Sequence, residues 1–128
     1  MPRLFVAIFA VALLGLSLVG SADAARKSKT KISIHAQQGG FFGNVKSKRE
    51  SCALNRKVVL YKRKGKRPNR RRDERIGSDR AQPNGDGFMW SINTDEQGKF
   101  YAYAKATRKC KRGLSKVRRA EAPIGEEG

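Results

Sequence analysis

Histidine, cysteine and acidic side chains are scarce in this chain of 128 residues, which has one histidine, two cysteines and 11 Asp or Glu residues. A typical transition-metal site needs several His or Cys ligands. Catalytic acids and bases are most often His, Asp or Glu. With so few of these side chains, we expect a protein that is not an enzyme and that has no metal and no cofactor.

The few residues that suggest catalysis or metal binding have simpler interpretations. His35 lies in an alternating stretch typical of a half-exposed strand, and no nucleophile motif accompanies it. Asp73 and Glu74 lie among arginines, which favours a solvated ion-pair cluster over a general acid and base. The stretch 82–93 fits three positions of an EF-hand loop, but its first and last ligands are missing.

Long apolar runs are absent after residue 19, and the one run before it has the form of a secretory signal peptide. Arg3 supplies positive charge, residues 4–19 are the apolar segment, and 22–24 (Ala-Asp-Ala) offer small residues for cleavage. We expect 1–24 to be a cleaved signal helix, which leaves no transmembrane span. A retained anchor is the alternative, because a spanning helix needs only ~17 to 25 apolar residues.

Basic residues dominate the charge of the chain. The sequence has 29 Lys and Arg, which gives a formal net charge of +18 at pH 7. Together with the leader, this charge predicts a secreted protein, extracellular or periplasmic, whose partner is an anionic polymer or the cell-envelope surface. Sequence-specific nucleic-acid recognition is not expected.

Cys52 and Cys110 both lie in the exported part, where an even pair of cysteines is most simply a disulfide. A bond between them would close a long loop and stabilise the fold by about 4 kcal/mol in the chain-entropy treatment. A metal site would need further His or Cys ligands, and a redox pair is normally C-x-x-C. The structural disulfide is therefore the preferred interpretation.

Short stretches of alternating apolar and polar residues follow the leader, with no helical period, and this pattern is typical of β-strands. Strands are expected near residues 32–36, 41–47, 57–62, 88–92 and 99–106, with a short strand from Ile76 and a last one through Leu114 and Val117. Turns are expected at 37–40 and 79–87. The sequence predicts an all-β fold, an antiparallel β-sandwich of about seven short strands, as one domain over 25–119 with a disordered acidic tail over 120–128.

The alternation also predicts which side chains form the core. Nine residues should face inward between the sheets: Ile32, Ile34, Val45, Val58, Leu60, Trp90, Ile92, Phe100 and Ala102. Tyr101 and Tyr103 fall on the opposite, exposed face of their strand, where tyrosines usually pair across strands.

Several short motifs follow one another in a familiar order. They are Gly43-Asn44-Val45, Arg56–Leu60, Ser78-Asp79, Asn84-Gly85 before Phe88-Met89-Trp90, and Gly98–Tyr101. This order resembles the carboxypeptidase regulatory-like, or transthyretin-like, domain. The chain departs from that family in its arginine-rich insertion, its longer turn after Asp79 and its cysteine pair. The resemblance implies a non-catalytic sandwich that spaces, supports or attaches other parts of secreted proteins.

The segment 62–75, called the basic loop below, holds nine cations and no large apolar residue after Tyr61 and before Ile76. We expect an exposed loop or hairpin tip that binds polyanions through counterion release. The residues proposed for this are Lys62, Arg63, Lys64, Lys66, Arg67, Arg70, Arg71, Arg72 and Arg75. The alternative is a solubilising loop without a partner.

A second group of cations is expected to surround Cys110: Arg108, Lys109, Lys111, Arg112, Lys116, Arg118 and Arg119, with Lys46, Lys48 and Arg49 brought beside it by the disulfide. The preferred hypothesis is a secreted, strongly basic, non-enzymatic module that binds anionic envelope or extracellular polymers. A purely structural accessory domain is one alternative. The other is a cationic defence protein or toxin that acts on membranes, which normally requires a basic amphipathic helix.

Overall fold

The computed structural model describes residues 26–122, so the expected signal peptide and positions 123–128 of the expected tail lie outside the described residues. Within 26–122, nearly all regular structure is β. The strands are β1 Lys31–Ile32, β2 His35–Gln37, β3 Gly40–Lys46, β4 Lys57–Lys62, β5 Glu74–Arg80, β6 Gln82–Asn84, β7 Gly87–Asn93, β8 Lys99–Ala104, β9 Gly113–Leu114 and β10 Arg118–Arg119. A 3-10 turn over Glu50–Cys52 precedes β4.

The strands form two antiparallel sheets, which confirms the expected all-β class. Sheet one has the order β1-β3-β7-β6 and sheet two the order β10-β8-β4-β5. β2 continues the edge strand β1 along β3, and β9 and β10 share one edge of β8. β5 and β6 are separated only by Ala81, where the chain leaves sheet two and enters sheet one. β1 and β2 follow one another along one extended stretch of chain, as do β5 and β6 and also β9 and β10. The ten strands therefore correspond to seven extended stretches of the chain.

Both sheets bury one face against a shared core, as the period-two alternation predicts. Phe41, Val45 and Trp90 from sheet one and Leu60 and Phe100 from sheet two are fully buried. All nine residues predicted to face inward are buried in this core, which confirms the face assignment.

The predicted turns are partly correct. Gln38 and Gly39 link β2 to β3, with Gly39 at φ 80. The turn expected over 79–87 is wrong in its length, since only Gly85 and Asp86 form the turn between β6 and β7, and the other residues of this range except Ala81 lie in strands. Gly85 has φ 64, a left-handed conformation that favours glycine in two-residue hairpins. The preceding residues stay extended because they pair at sheet edges, where even Pro83 is tolerated.

The last strand is also interrupted, contrary to the expectation of one strand through Leu114 and Val117. The Ser115 N–H donates to the Ala102 carbonyl at 2.9 Å, and the Ala102 N–H donates to Ser115 Oγ at 2.8 Å. A side-chain hydroxyl thus replaces a backbone carbonyl of the ladder between β9 and β10. Leu114 lies opposite Tyr103 on the outer face of sheet two, so it is 52% exposed and does not join the core.

Cys52 and Cys110 form the expected disulfide, with their Cα atoms 5.6 Å apart. Beside it, the N-terminal segment pairs with the chain around Cys110: the Ser28 N–H donates to the Lys109 carbonyl, and the Lys111 N–H donates to the Ser28 carbonyl. The start of the described chain is therefore fixed to the same end of the domain as the disulfide.

Arg56 is buried at this end and connects four chain segments. Its guanidinium donates to Thr30 Oγ1 and to the carbonyls of Cys52, Lys105 and Lys111, at 2.9 to 3.0 Å. Burial lowers the pKa of Arg56. The four neutral oxygens accept four of its five N–H donors, so this cation serves the architecture of the disulfide end.

Candidate functional site

The basic loop folds back onto sheet two around a single carboxylate, Asp73. The carboxylate accepts the backbone N–H of Lys64 at 2.9 Å, the backbone N–H of Asn69 at 2.7 Å and the hydroxyl of Tyr101. Asp73 is only 8% exposed, whereas Glu74 points to solvent. The expectation of a solvated ion-pair cluster at these two residues is therefore wrong for Asp73, which is the anchor of the loop.

The protonation of this anchor follows from its contacts. Burial opposes ionisation of Asp73, but hydrogen bonds from Asn69, Tyr101 and Lys64 outweigh it, and the charge of Arg63 adds to them. Together they hold the pKa of Asp73 below its ordinary value. Burial and the hydrogen bond to Asp73 raise the pKa of Tyr101. The basic loop is therefore held to sheet two by an ionised Asp73 carboxylate and a neutral Tyr101 phenol.

The outer face of β8 is covered, which corrects the expectation that its tyrosines are exposed. Tyr101 is fully buried and Tyr103 is 7% exposed. Tyr61 stacks against Tyr101 with ring centroids 5.5 Å apart, and the Arg70 guanidinium lies 3.8 Å from the centroid of the Tyr103 ring. The basic loop folds onto sheet two because the Asp73 carboxylate contacts Tyr101 and the Arg70 guanidinium contacts Tyr103.

The nine cations of the basic loop do not form one patch. Seven are exposed: Lys64, Lys66, Arg67, Arg70, Arg71, Arg72 and Arg75. Lys62 forms an ion pair with Glu96 at 3.2 Å, and Arg63 is half-buried. Four of the exposed cations surround a hollow at the loop tip that also contains Asp73: Lys64, Lys66, Arg67 and Arg72. Arg70 and Arg75 instead reach the outer face of sheet two.

That face carries an open groove of about 540 Å³, called the sheet-two groove below. Val59, Tyr61 and Tyr103 lie at its floor, on the outer side of β4 and β8. Its lining includes six cations and no Asp or Glu: Arg56, Lys57, Arg70, Arg75, Arg80 and Lys105. The groove is thus cationic over an aromatic floor, a combination suited to an anionic ligand.

The strand register explains how this groove collects charge. Lys57 of β4 lies directly opposite Arg80 of β5, and Tyr61 lies opposite Arg75. Like charges directly opposite each other on neighbouring strands are destabilising. Residues 57 and 61 are four positions apart, so the Lys57–Arg80 pair lies about 13 Å along the strand from the Tyr61–Arg75 pair. The fold therefore carries an electrostatic cost that an anionic ligand would relieve.

A second cationic groove of about 750 Å³, the stub groove, lies where the N-terminal segment meets the end of β3. Its lining also has six cations and no carboxylate: Arg26, Lys27, Lys29, Lys31, Lys46 and Lys48. Lys31 lies directly opposite Lys46 in the register of β1 and β3. Two independent surfaces of the domain thus share one pattern of charge.

The basic patch predicted around Cys110 is only partly assembled. Lys109 and Lys111 do flank Cys110 beside Ser28. Arg118 and Arg119 lie instead against Phe100 and Lys99, at the opposite end of β8. Lys46 and Lys48 line the stub groove with the N-terminal segment, a partnership that the sequence did not indicate.

Sequence reasoning missed the groove cations Lys57, Arg80 and Lys105. They lie at or just beyond the ends of three strands that are distant in the chain, and none of them belongs to the basic loop. The one available signal was the outward phase of β4, because Val58 and Leu60 point inward and Lys57 must then point outward. To predict that Arg80 of β5 lies beside Lys57, one must also know the register between β4 and β5.

The remaining candidates from the sequence do not come together as a site. The ring of His35 lies on that of Phe42 at 5.2 Å on sheet one. Residues 26–122 contain no cluster of three or more metal-ligating side chains, and no helix in this range has the length and hydrophobicity to span a bilayer. The chain matches no protein-family model, and no curated protein matches it. Function is therefore inferred from the two cationic grooves.

Proposed function

We propose that this protein is an exported, non-enzymatic module that binds anionic polymers of the cell envelope or the extracellular space, with the sheet-two groove as its main site. One observation carries the proposal: six cations line this groove without a carboxylate, and two of them, Lys57 and Arg80, oppose each other on adjacent strands. A protein that needed only solubility would gain by placing acidic residues at such positions.

The groove offers the chemistry that a polyanion requires. Arg70 and Arg75 present guanidinium forks that match carboxylate, sulfate and phosphate, and Lys57 and Lys105 add mobile charges at the other end. Binding displaces counterions from the polymer, so affinity should fall steeply with salt concentration. The basic loop contributes through Arg70 and Arg75, while its tip cations add long-range attraction.

Export is supported by the sequence of the leader and is compatible with the disulfide between Cys52 and Cys110. Such bonds persist in oxidising compartments such as the bacterial periplasm and the extracellular space. The fold class expected from the transthyretin-like resemblance, with non-catalytic attachment as its use, fits the same proposal.

The test is retention of the mature protein on four immobilised ligands across a salt gradient: heparin, cardiolipin vesicles, peptidoglycan and DNA. Three proteins are compared, which are the wild type, K57E/R80E in the groove and K99E/R119E outside it. Lys99 opposes Arg119 on β8 and β10, so both variants reverse one cross-strand pair and change the net charge equally. Each variant replaces one pair of like charges by another, so we expect the two variants to have similar effects on folding.

We expect the groove variant to elute at clearly lower salt than the control variant on at least one of the four ligands. Identical elution of the two variants on every ligand would contradict the proposal, because retention would then depend on net charge alone. The ligand with the largest difference between the variants identifies the polymer class.

A further inference from the structure

The two cationic grooves include cations that point away from opposite faces of the core. Ile32 and Val45 are buried in the core, so their neighbours Lys31 and Lys46 point outward from sheet one. Val58 is buried on the other side of the same core, so Lys57 points outward from sheet two. The two sheets pack about 10 Å apart at their inner faces. Lys31 and Lys46 therefore point in the opposite direction to Lys57.

The stub groove is also built independently of the sheet-two groove, because no residue lines both. Its N-terminal side is fixed by the hydrogen bonds of Ser28 to Lys109 and Lys111, next to the disulfide. Its other side is the end of β3, held in register by β7. Ser28, Lys31 and Lys46 are thus held by paired backbone, and they fix both sides of this groove.

The aromatic rings define which polyanion fits. In the sheet-two groove, Tyr103 is already covered by Arg70, and Tyr61 is stacked on Tyr101. The stub groove is lined by Lys, Arg and Ser alone. Single-stranded nucleic acid gains much of its affinity from bases stacked on free aromatic faces. The stub groove has no aromatic residue in its lining, and in the sheet-two groove Arg70 covers Tyr103 while Tyr101 takes one face of Tyr61. A polymer bound through charged substituents alone fits both grooves.

We propose that the stub groove is a second binding site for the same ligand as the sheet-two groove, that this ligand is a linear acidic polysaccharide with sulfate or carboxylate groups, and that each domain is therefore bivalent. The ligand class rests on the function proposed above, whereas the second site does not. Because the grooves share no lining residue and these cations point in opposite directions, two polymer segments can bind at once, and the domain bridges them with a gain in avidity.

Stoichiometry tests the second site directly. The mature protein is titrated with a short heparin oligosaccharide, and complexes are counted by native mass spectrometry and calorimetry. We expect two oligosaccharides per wild-type chain, one per chain for K31E/K46E, one for K57E/R80E and two for K99E/R119E. All three variants replace one like-charge strand pair by another, so thermal melts should show that each is folded like the wild type.

The outcomes separate the two proposals. One oligosaccharide per wild-type chain that is lost in K57E/R80E, or two on K31E/K46E, overturns the second site and leaves the sheet-two groove standing. Unchanged binding by K57E/R80E alone overturns the groove proposed above and leaves the stub groove. A single-stranded oligodeoxynucleotide that binds K57E/R80E more tightly than heparin of equal charge overturns the polysaccharide assignment.

Bridging has its own measurement, because a bivalent domain cross-links long chains. Light scattering of long-chain heparin should rise sharply when wild-type protein or K99E/R119E is added at low salt. It should stay low with K31E/K46E, which retains one site. Equal scattering by K31E/K46E and K99E/R119E would show that charge alone compacts the polymer, and bivalency would be rejected.

Discussion

Single residues decide the shape of the basic surface, and Asp73 is the clearest case. This carboxylate is surrounded by arginines in sequence, yet its partners are two backbone N–H groups of its own loop and the Tyr101 hydroxyl. Local side-chain-to-backbone hydrogen bonds of this kind fix loops that lack an apolar core. The exposed arginines around it are therefore held on an ordered frame.

Replacement of Asp73 by Asn should lower the free energy of unfolding by about 1 to 3 kcal/mol, because a neutral amide has one oxygen where three donors need acceptors. Denaturant titration measures this change. Glu74→Gln is the matched control, since Glu74 is exposed and its replacement should stay within about 0.5 kcal/mol of the wild type. Equal effects of the two variants would contradict the assigned role of Asp73.

The same variant gives the pH dependence of the anchor. Since the pKa of Asp73 is lowered in the folded state, its contribution is complete above the pKa of an unfolded Asp, about 4, and is lost as pH falls through the lower folded value. The difference in melting temperature between wild type and Asp73→Asn should therefore shrink below about pH 4. A difference that stays constant down to pH 2 would exclude an ionised anchor.

Trp90 is the largest fully buried side chain of the core, and its indole nitrogen has no hydrogen-bond partner. Trp90→Ala should cost about 3 to 5 kcal/mol, enough to threaten the folding of a small domain. Trp90→Phe should cost less, because it removes the unpaired N–H along with part of the ring. In native protein, Trp90 fluorescence should resist quenching by iodide, and full quenching would show that this strand face is misassigned.

At the scale of elements, the basic loop and sheet two stabilise each other. Arg70→Gln should destabilise the protein by about 0.5 to 1 kcal/mol, since it removes the guanidinium from the Tyr103 ring. The exposed neighbour Arg71 is the control, and Arg71→Gln should be nearly neutral. Chemical unfolding and the ring-proton shifts of Tyr103 by NMR check both. Indistinguishable results would mean that the loop does not pack on the sheet.

The disulfide joins the 3-10 turn before β4 to the segment after β8, beside the paired N-terminal segment. Its reduction should lower stability by about 4 kcal/mol, the cost expected for a loop of 58 residues in the chain-entropy treatment. Thermal melts with and without reductant measure this, with Cys52→Ser/Cys110→Ser as the permanently open form. Mass spectrometry of secreted protein should find no free thiol, and two alkylatable cysteines would contradict the bond.

The sequence predicted the elements whose structure is local. Alternation placed Ile34, Leu60 and Trp90 in the core, because burial on one face of a strand leaves a period of two. The fold-back of the basic loop was not predictable in the same way. It depends on Asp73 meeting Tyr101 from 28 positions away, and a lone carboxylate among arginines gives no periodic pattern.

The groove was harder still, since strand register decides it. Lys57 and Arg80 are 23 positions apart and meet only because β4 and β5 pair antiparallel with an irregularity after Leu60. The chain passes from sheet two to sheet one at Ala81, and this likewise depends on the arrangement of the edge strands β5 and β6. Both features are long-range and leave no local trace in composition.

At the scale of the whole molecule, charge is the dominant property. The chain carries a net +18, and residues 26–122 contain one ion pair, between Lys62 and Glu96. Most of its cations thus have no carboxylate partner, and the fold gathers twelve of them into two grooves without carboxylates. Eleven of the twelve are available to a ligand, because Arg56 is buried and bound to protein oxygens. Self-repulsion of this size opposes compaction, so a bound polyanion should also stabilise the folded state.

The salt dependence of heparin affinity tests polyanion binding by the sheet-two groove most directly. If about five anionic groups are bound, the logarithm of affinity should fall against the logarithm of salt concentration with a slope near −4 to −5, taking the duplex DNA coefficient as an upper guide. K57Q/R80Q should flatten this slope by about one to two units, whereas K99Q/R119Q, with the same net charge, should leave it almost unchanged. Equal slopes for the two variants would contradict a defined binding groove.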